Sequence, residues 1–346
     1  MIIVTIIQSI VIFLILAILI AYIYLISLKL RSRNFKRKNH KWKEENRKSI
    51  YEFIMHNKYH NFKIEHTADI HALESICIKA TQLVSGIDEK QRIYHLLQFY
   101  LFPHYKNKLV HGSHIEKQNI LDIISFFQIK EFENEVKDIC TQTSGSIQYQ
   151  AFTTLSILNT RQAILLATSV QDSIPITMIA LSVSQTENFS VWVEFFHTLP
   201  EPFQYEILNA IGTRDDNIFY PFLIQNLTNK DEEIIIRSLH AISKLMPKEE
   251  TKEHIEHLFK KESWQIHLMI IRVISPFKDE TYFPYLLKQA GHQSWWIRRE
   301  VQHAIQYYSN WKEKYIEIAL HHSDRFARES ALEALARKDV TTHALS

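Results

Sequence analysis

Nineteen histidines stand among 346 residues and are the first place to look for metal or acid–base chemistry. A zinc helix of the H-E-x-x-H type needs two histidines one turn apart on one face, with a glutamate between them as general base. The nearest match is Glu253-His254-Ile255-Glu256-His257, whose histidines are three apart and have no third ligand indicated. It reads as a solvated, charged helix. His321-His322 and His111…His114 fall in expected turns and read the same way. Cys77 and Cys140 form no CxxC and no disulfide framework, which fits a reducing compartment. Cys77 shares a helical pattern with Leu73 and Ile76 and reads as a buried thiol. The five glycines, at 86, 112, 145, 212 and 291, allow no G-x-G-x-x-G, no phosphate loop and no G-x-S-x-G. Neither an enzyme nor a metal or cofactor is expected.

Binding chemistry is better represented. Trp264 and Trp295 take equivalent places just after expected helix starts, and Trp296, Arg298, Arg299 and His303 follow on the same segment. Trp and Arg dominate interface hot spots because they desolvate large areas while keeping hydrogen-bond donors. These six residues are the expected binding patch, along one edge of the body. The alternative is that the indoles pack against neighbouring turns.

The elements carrying that patch recur. From about residue 115 onward the chain alternates helices of 10–15 residues with polar breaks. Ala180-Leu181, Ala210-Ile211, Ala241-Ile242, Val273-Ile274, Ala304-Ile305 and Ala334-Leu335 close successive units, spaced 30, 31, 32, 31 and 30 residues apart. Two weaker units precede them, ending near Ile124 and Leu155. The helix-capping residues Asp231, Ser263, Ser294 and Asp324 keep the same register, with separations of 32, 31 and 30. Phe219-Tyr220-Pro221-Phe222-Leu223 recurs as Tyr282-Phe283-Pro284-Tyr285-Leu286 at an offset of 63. Proline there marks a helix start, where its missing N–H would lack a partner anyway. A fixed period of this length predicts stacked supersecondary units.

On these residues the chain resembles the HEAT repeat family in its short form, similar to the repeats of phycobilin lyases. Ser294-Trp295-Trp296-Ile297-Arg298-Arg299-Glu300-Val301-Gln302-His303-Ala304-Ile305 and Asp324-Arg325-Phe326-Ala327-Arg328-Glu329-Ser330-Ala331-Leu332-Glu333-Ala334-Leu335 look like the family's second helix. The resemblance covers about 200–340 well and reaches back to 115. It departs at Ile235 and His267, where the family's arginine is missing. It implies an all-α solenoid with a concave wall that presents a face to a partner protein. The deoxyhypusine hydroxylases, HEAT-like enzymes with iron-binding His-Glu pairs, are set aside because no histidine here precedes a glutamate.

The other end of the chain is a different material. Residues 1–28 carry no charge, whereas 29–48 hold ten Lys/Arg against Glu44 and Glu45. The other 298 residues are net −6, so the overall +2 describes no region. A membrane-crossing helix needs ~20 apolar residues. The run lacks the charged start and short apolar core of a cleaved signal. Basic residues after it hold the following body in the cytoplasm and suit anionic headgroups.

The expected organisation is a transmembrane helix over 1–28, a basic juxtamembrane segment over 29–48 and a helical capping region over 49–112. A HEAT-like solenoid over 113–340 and a tail over 341–346 complete it. The expected protein is single-pass in a bacterial cell membrane, N-terminus outside. It binds a partner protein at the inner surface, in one version a membrane glycosyltransferase or exopolysaccharide-assembly component, since anchored HEAT-like chains with a similar Trp-Trp-Ile-Arg turn accompany these. The alternatives are an unrecognised enzyme site, in the solenoid groove or in 49–110, and a nucleic-acid binder. The net −6 body argues against nucleic acid, although Arg298, Arg299, Arg325, Arg328, Arg337 and Lys338 make the last units locally basic.

Overall fold

A computed structural model describes the backbone of residues 2–58, 62–170 and 172–343, and the side chains of 13–58, 62–170 and 172–336. Arg337, Lys338 and the tail expected over 341–346 lie outside the described side chains. The chain is all-α, with no strand among the described residues. It divides into two compact units, 1–127 and 128–346. The capping region was expected to end at 112; the division falls after Phe127 instead.

The first unit contains α1 (Ile2–His56), α2 (Thr67–Leu83), α3 (Ile87–Tyr100), α4 (Phe102–His111) and α5 (His114–Phe127). No proline or glycine occurs between residues 2 and 56, so nothing interrupts α1, and the apolar and basic segments are one helix. It is long and apolar enough to cross a membrane by length and composition, and the described part of its apolar stretch, from Phe13, is unburied. Farther along, α1 packs on α2 and α3. Trp42, Ile50 and Ile54 are buried. Asn39 donates to the Ala68 carbonyl (2.9 Å), Trp42 Nε1 to the Lys63 carbonyl (3.0 Å) and Lys43 Nζ to Ser75 Oγ (2.8 Å). The expected basic juxtamembrane segment therefore has two parts. Lys29, Arg31, Arg33, Lys36, Arg37 and Lys38 are exposed, while the segment from Asn39 onward is a packing element. Helix α5 stays with this unit because it packs on α4, where Lys108 pairs with Glu116.

The second unit contains α6 (Glu133–Gln142), α7 (Ser146–Leu158), α8 (Thr160–Val170), α9 (Ile176–Gln185), α10 (Phe189–Glu194), α11 (Glu201–Arg214) and α12 (Tyr220–Asn226). It continues with α13 (Glu232–Lys244), α14 (Thr251–Ile255), α15 (Trp264–Ile274), α16 (Phe283–Ala290), α17 (Trp295–Ile305), α18 (Trp311–His321) and α19 (Arg325–His343). Alternate helices pack in series: α7 on α9, α9 on α11, α11 on α13, α13 on α15, α15 on α17 and α17 on α19. Apolar spacing explains this. Ile297, Val301, Ala304 and Ile305 recur at one helix face and are buried in α17. In α15, buried residues run almost all round from Ile266 to Ile274, as its place between α13 and α17 demands.

The 30–32-residue register of the closing pairs is physical over four units, from Ala210-Ile211 to Ala304-Ile305, where every member is buried. At Ala180-Leu181 it is not: Leu181 is 37% exposed, and α9 buries Ile179, Ser182 and Val183 instead. Pro221 and Pro284 sit in the first turns of α12 and α16. Each follows a short 3-10 turn started by an aspartate, Asp216 accepting from Ile218 N (3.1 Å) and Asp279 from Thr281 N (3.0 Å).

Gly212 marks a close helix approach in the series. A Cβ there would lie 3.0 Å from Ala241 Cα and 3.3 Å from Ala241 Cβ, so α11 and α13 meet backbone to side chain. Overpacking such a contact typically costs about 1–3 kcal/mol. Gly212→Val is expected to lower the thermal midpoint of the second unit, measured by circular dichroism, while Ala180→Val is expected to change it less.

Candidate binding groove

The turns before α13, α15, α17 and α19 decide which side chains remain for binding. Backbone groups in such a turn must find partners once helices close over them. Asp231 Oδ1 caps α13 by accepting from Glu233 N (2.8 Å), and Asp324 Oδ1 accepts from Ala327 N (2.8 Å). Ser263 and Ser294 stand at the same position but make no side-chain cap bond. Two residues earlier, Asn229 Oδ1, His292 Nδ1 and His322 Nδ1 accept from the N–H of Asp231 (3.0 Å), Ser294 (2.9 Å) and Asp324 (3.0 Å).

The repeat arginines close the same turns. Arg298 Nη1 donates to the carbonyls of His292 (2.7 Å) and Gln293 (2.8 Å), and Arg328 Nη1 donates to those of His322 (2.7 Å) and Ser323 (2.8 Å). At the corresponding position of α15, the ring Nδ1 of His267 lies 2.8 Å from the Tyr285 hydroxyl. Burial, the largest influence, lowers the His267 pKa. Arg298 is thus engaged within the chain, with its guanidinium 5.6 Å from the Phe326 ring centre.

Arg299, one residue on, points elsewhere. It lies over the Trp295 ring at 5.2 Å and makes no ion pair among the described residues. Trp295 and Trp296 meet edge to face, centroids 4.9 Å apart, and are 53% and 55% exposed. Two hollows of about 570 and 660 Å³ adjoin at Arg299 and His303. The first is lined also by Trp295, Gln302, Gln306 and Phe326. The second runs past Trp296, Glu300 and Tyr307 to Arg272, His240, Lys244 and Met246. Together they form one groove across α13, α15, α17 and α19. Five of the six expected residues line it. Trp264, 38% exposed, lines neither hollow.

His240, Arg272 and Glu333 were missed by the sequence analysis. With His303 they form a ladder at 32-, 31- and 30-residue intervals, the spacing of the caps, nine positions farther along each helix. The register that located the turns would have found them. Arg272 pairs with Glu300 (3.1 Å). His240 has its pKa lowered, first by burial and then by Lys244, Arg272 and Arg237, so the groove's α13 end is a positive environment.

A polar knot in the first unit bears on the enzyme alternative. Buried Glu74 holds His71 Nδ1 at 2.9 Å, and His71 has its pKa raised chiefly by that hydrogen bond. Tyr105 is raised by burial and then by Glu74, and buried Cys77 is pushed up to about 12 by the same two causes in the same order. A thiol held protonated is a poor nucleophile, so Cys77 is not set up for attack. No group of three metal-binding side chains occurs among the described residues. His254 is exposed, while His257 Nε2 meets the Leu227 carbonyl (3.2 Å).

No protein-family model matches this chain, and no curated protein is significantly similar to it.

Arg298→Ala is expected to destabilise the second unit by about 1–3 kcal/mol in denaturant unfolding, since two charge-assisted bonds disappear. Arg299→Ala is expected to stay within about 0.5 kcal/mol. In the first unit, the raised His71 pKa means the folded state holds the proton more tightly than the unfolded chain. Its stabilisation is complete below the ordinary value of 6.5 and fades as pH rises through the folded value. The first unit's thermal midpoint is therefore expected to fall over that rise, and Glu74→Gln is expected to flatten the fall.

Proposed function

We propose that this chain is a single-pass membrane protein whose helical-repeat body binds a partner protein on the cytoplasmic side of a bacterial cell membrane. The observation that carries the binding reading is the groove centred on Arg299 and His303, with exposed indoles at its rim. A scaffold function also agrees with the HEAT-like register and with alternate helices packing in series, as in a solenoid. Solenoids expose long side-chain ladders because each repeat contacts only its neighbours, and here the ladder is His240, Arg272, His303 and Glu333.

Placement at the membrane is supported by the charge-free run of 1–28 and by the exposed cations from Lys29 to Lys38. Those cations favour a cytoplasmic body and suit anionic lipid headgroups. The Trp-Trp-Ile-Arg turn supports a membrane glycosyltransferase or exopolysaccharide-assembly component as the partner. The chain itself is read as a non-enzymatic scaffold without a cofactor.

One experiment in native membranes tests both halves. A photocrosslinking amino acid replaces Trp296 in a full chain that carries a compartment-sensitive reporter after Ser346. The expected result is reporter signal from the cytoplasmic side and a discrete protein adduct that Trp264 replacement does not give. Reporter activity outside overturns the orientation. Absence of a protein adduct, or an adduct to nucleic acid, overturns the scaffold reading.

A further inference from the structure

The groove's charges and apolar surfaces are specific enough to state what kind of segment it takes. Its walls hold three cations without an ion pair among the described residues: Arg299, Lys244 and Arg298, the last bonded to the carbonyls of its own turn. The fourth, Arg272, is matched by Glu300, and Glu333 is engaged as well. The unmatched charge is therefore positive. Around it stand large apolar side chains open to solvent: Trp296 at 55%, Tyr307 at 53% and Met246 at 74%. Trp296, Arg299 and His303 follow one another at three- and four-residue steps, so one face of α17 presents apolar, cationic and polar groups in sequence, and Tyr307 stands in the turn just after it.

We propose, resting on the reading of this groove as the partner-binding site, that it takes an acidic–aromatic peptide segment of the partner. In it, a carboxylate pairs with Arg299 and a neighbouring aromatic or aliphatic side chain lies between Trp296 and Tyr307. The guanidinium suits this role because its planar fork receives a carboxylate through two parallel hydrogen bonds. Its stacking on Trp295 holds it in place before binding, which reduces the ordering cost of association. Burial and three nearby cations keep His240 from adding a proton-dependent charge of its own, so Arg299 and Lys244 supply the attraction.

The same observations disfavour two other classes. A nucleic-acid strand brings a row of phosphates and needs clustered cations along it, whereas Glu300 and Glu333 stand on these walls. A sugar could stack on the exposed indole of Trp296, but a neutral ring would leave the charges of Arg299 and Lys244 without a counter-charge.

The test selects a displayed random-sequence peptide library on the detergent-solubilised full chain. Affinities of the selected peptides are then measured by fluorescence anisotropy. Acidic residues next to aromatic or aliphatic ones are expected to be enriched. Arg299→Glu is expected to weaken binding at least about tenfold, and a peptide with lysine replacing its acidic residue is expected to recover affinity for that variant. Arg161→Glu, a charge reversal elsewhere in the second unit, is expected to leave affinity unchanged. Thermal melting confirms that each variant is folded; if Arg299→Glu is not, Arg299→Gln replaces it, with a loss expected in the same direction. Peptides without acidic enrichment, affinity indifferent to Arg299, or no selected peptide at all overturn the proposal. A protein adduct at position 296 together with any of those results leaves the scaffold reading standing and removes only the acidic–aromatic class. Arg299-dependent peptides without an adduct do the reverse.

Discussion

Satisfying the backbone of four tight turns is the constraint on which the second unit depends. Each turn leads into a helix that must start at a fixed place to pack on the helix before it, and N–H and carbonyl groups left without partners there would be costly. The chain meets the requirement with side chains at constant offsets from the starts of α13, α17 and α19. Asn229, His292 and His322 accept from the backbone, while Arg298 and Arg328 donate to it. This arrangement also decides the chemistry of the groove. Arg298 and Arg299 are adjacent in sequence but about 100° apart around the helix, so one closes a turn at the edge of the first hollow and the other borders both hollows.

Three of the histidines, His257, His292 and His322, acquire a physical explanation from the same constraint. A neutral imidazole accepts at one ring nitrogen and donates at the other. His322 uses both, accepting from Asp324 N at Nδ1 and meeting the Leu287 carbonyl at Nε2 (2.9 Å), which joins its own turn to the preceding hairpin. That pattern assigns the proton to Nε2. His257 makes a similar bond to Leu227, and His267 Nδ1 meets the Tyr285 hydroxyl. Lysine lacks an acceptor and asparagine a comparable reach, so histidine suits a turn that must bond in two directions.

In the first unit, the absence of a helix breaker couples the apolar stretch to the body. From Leu28 to Asn39, where side-chain hydrogen bonds to α2 begin, is about 16 Å of continuous helix at 1.5 Å per residue. The spacing leaves little room for a tether. The first unit is held by Asn39, Trp42 and Lys43 through defined bonds, and the exposed cations lie between that hold and the apolar run.

Much of this was legible in the residues alone, because short-range physics governs it. Apolar periodicity specified helices, proline and aspartate marked their starts, and the recurring 30–32-residue offsets named the four units whose closing pairs are buried. The charge-free run and its cations were equally plain. Other features depended on which surfaces meet. Leu181 matches the register by sequence but faces solvent, because α9 turns a different stripe toward its neighbours. Trp264 and Trp295 are equivalent along the chain, yet only Trp295 borders the groove. Sequence specified the type of each side chain and its position on a helix. Tertiary packing decided whether an arginine met a carbonyl or water, because that depends on the turn beside it and the helix across from it.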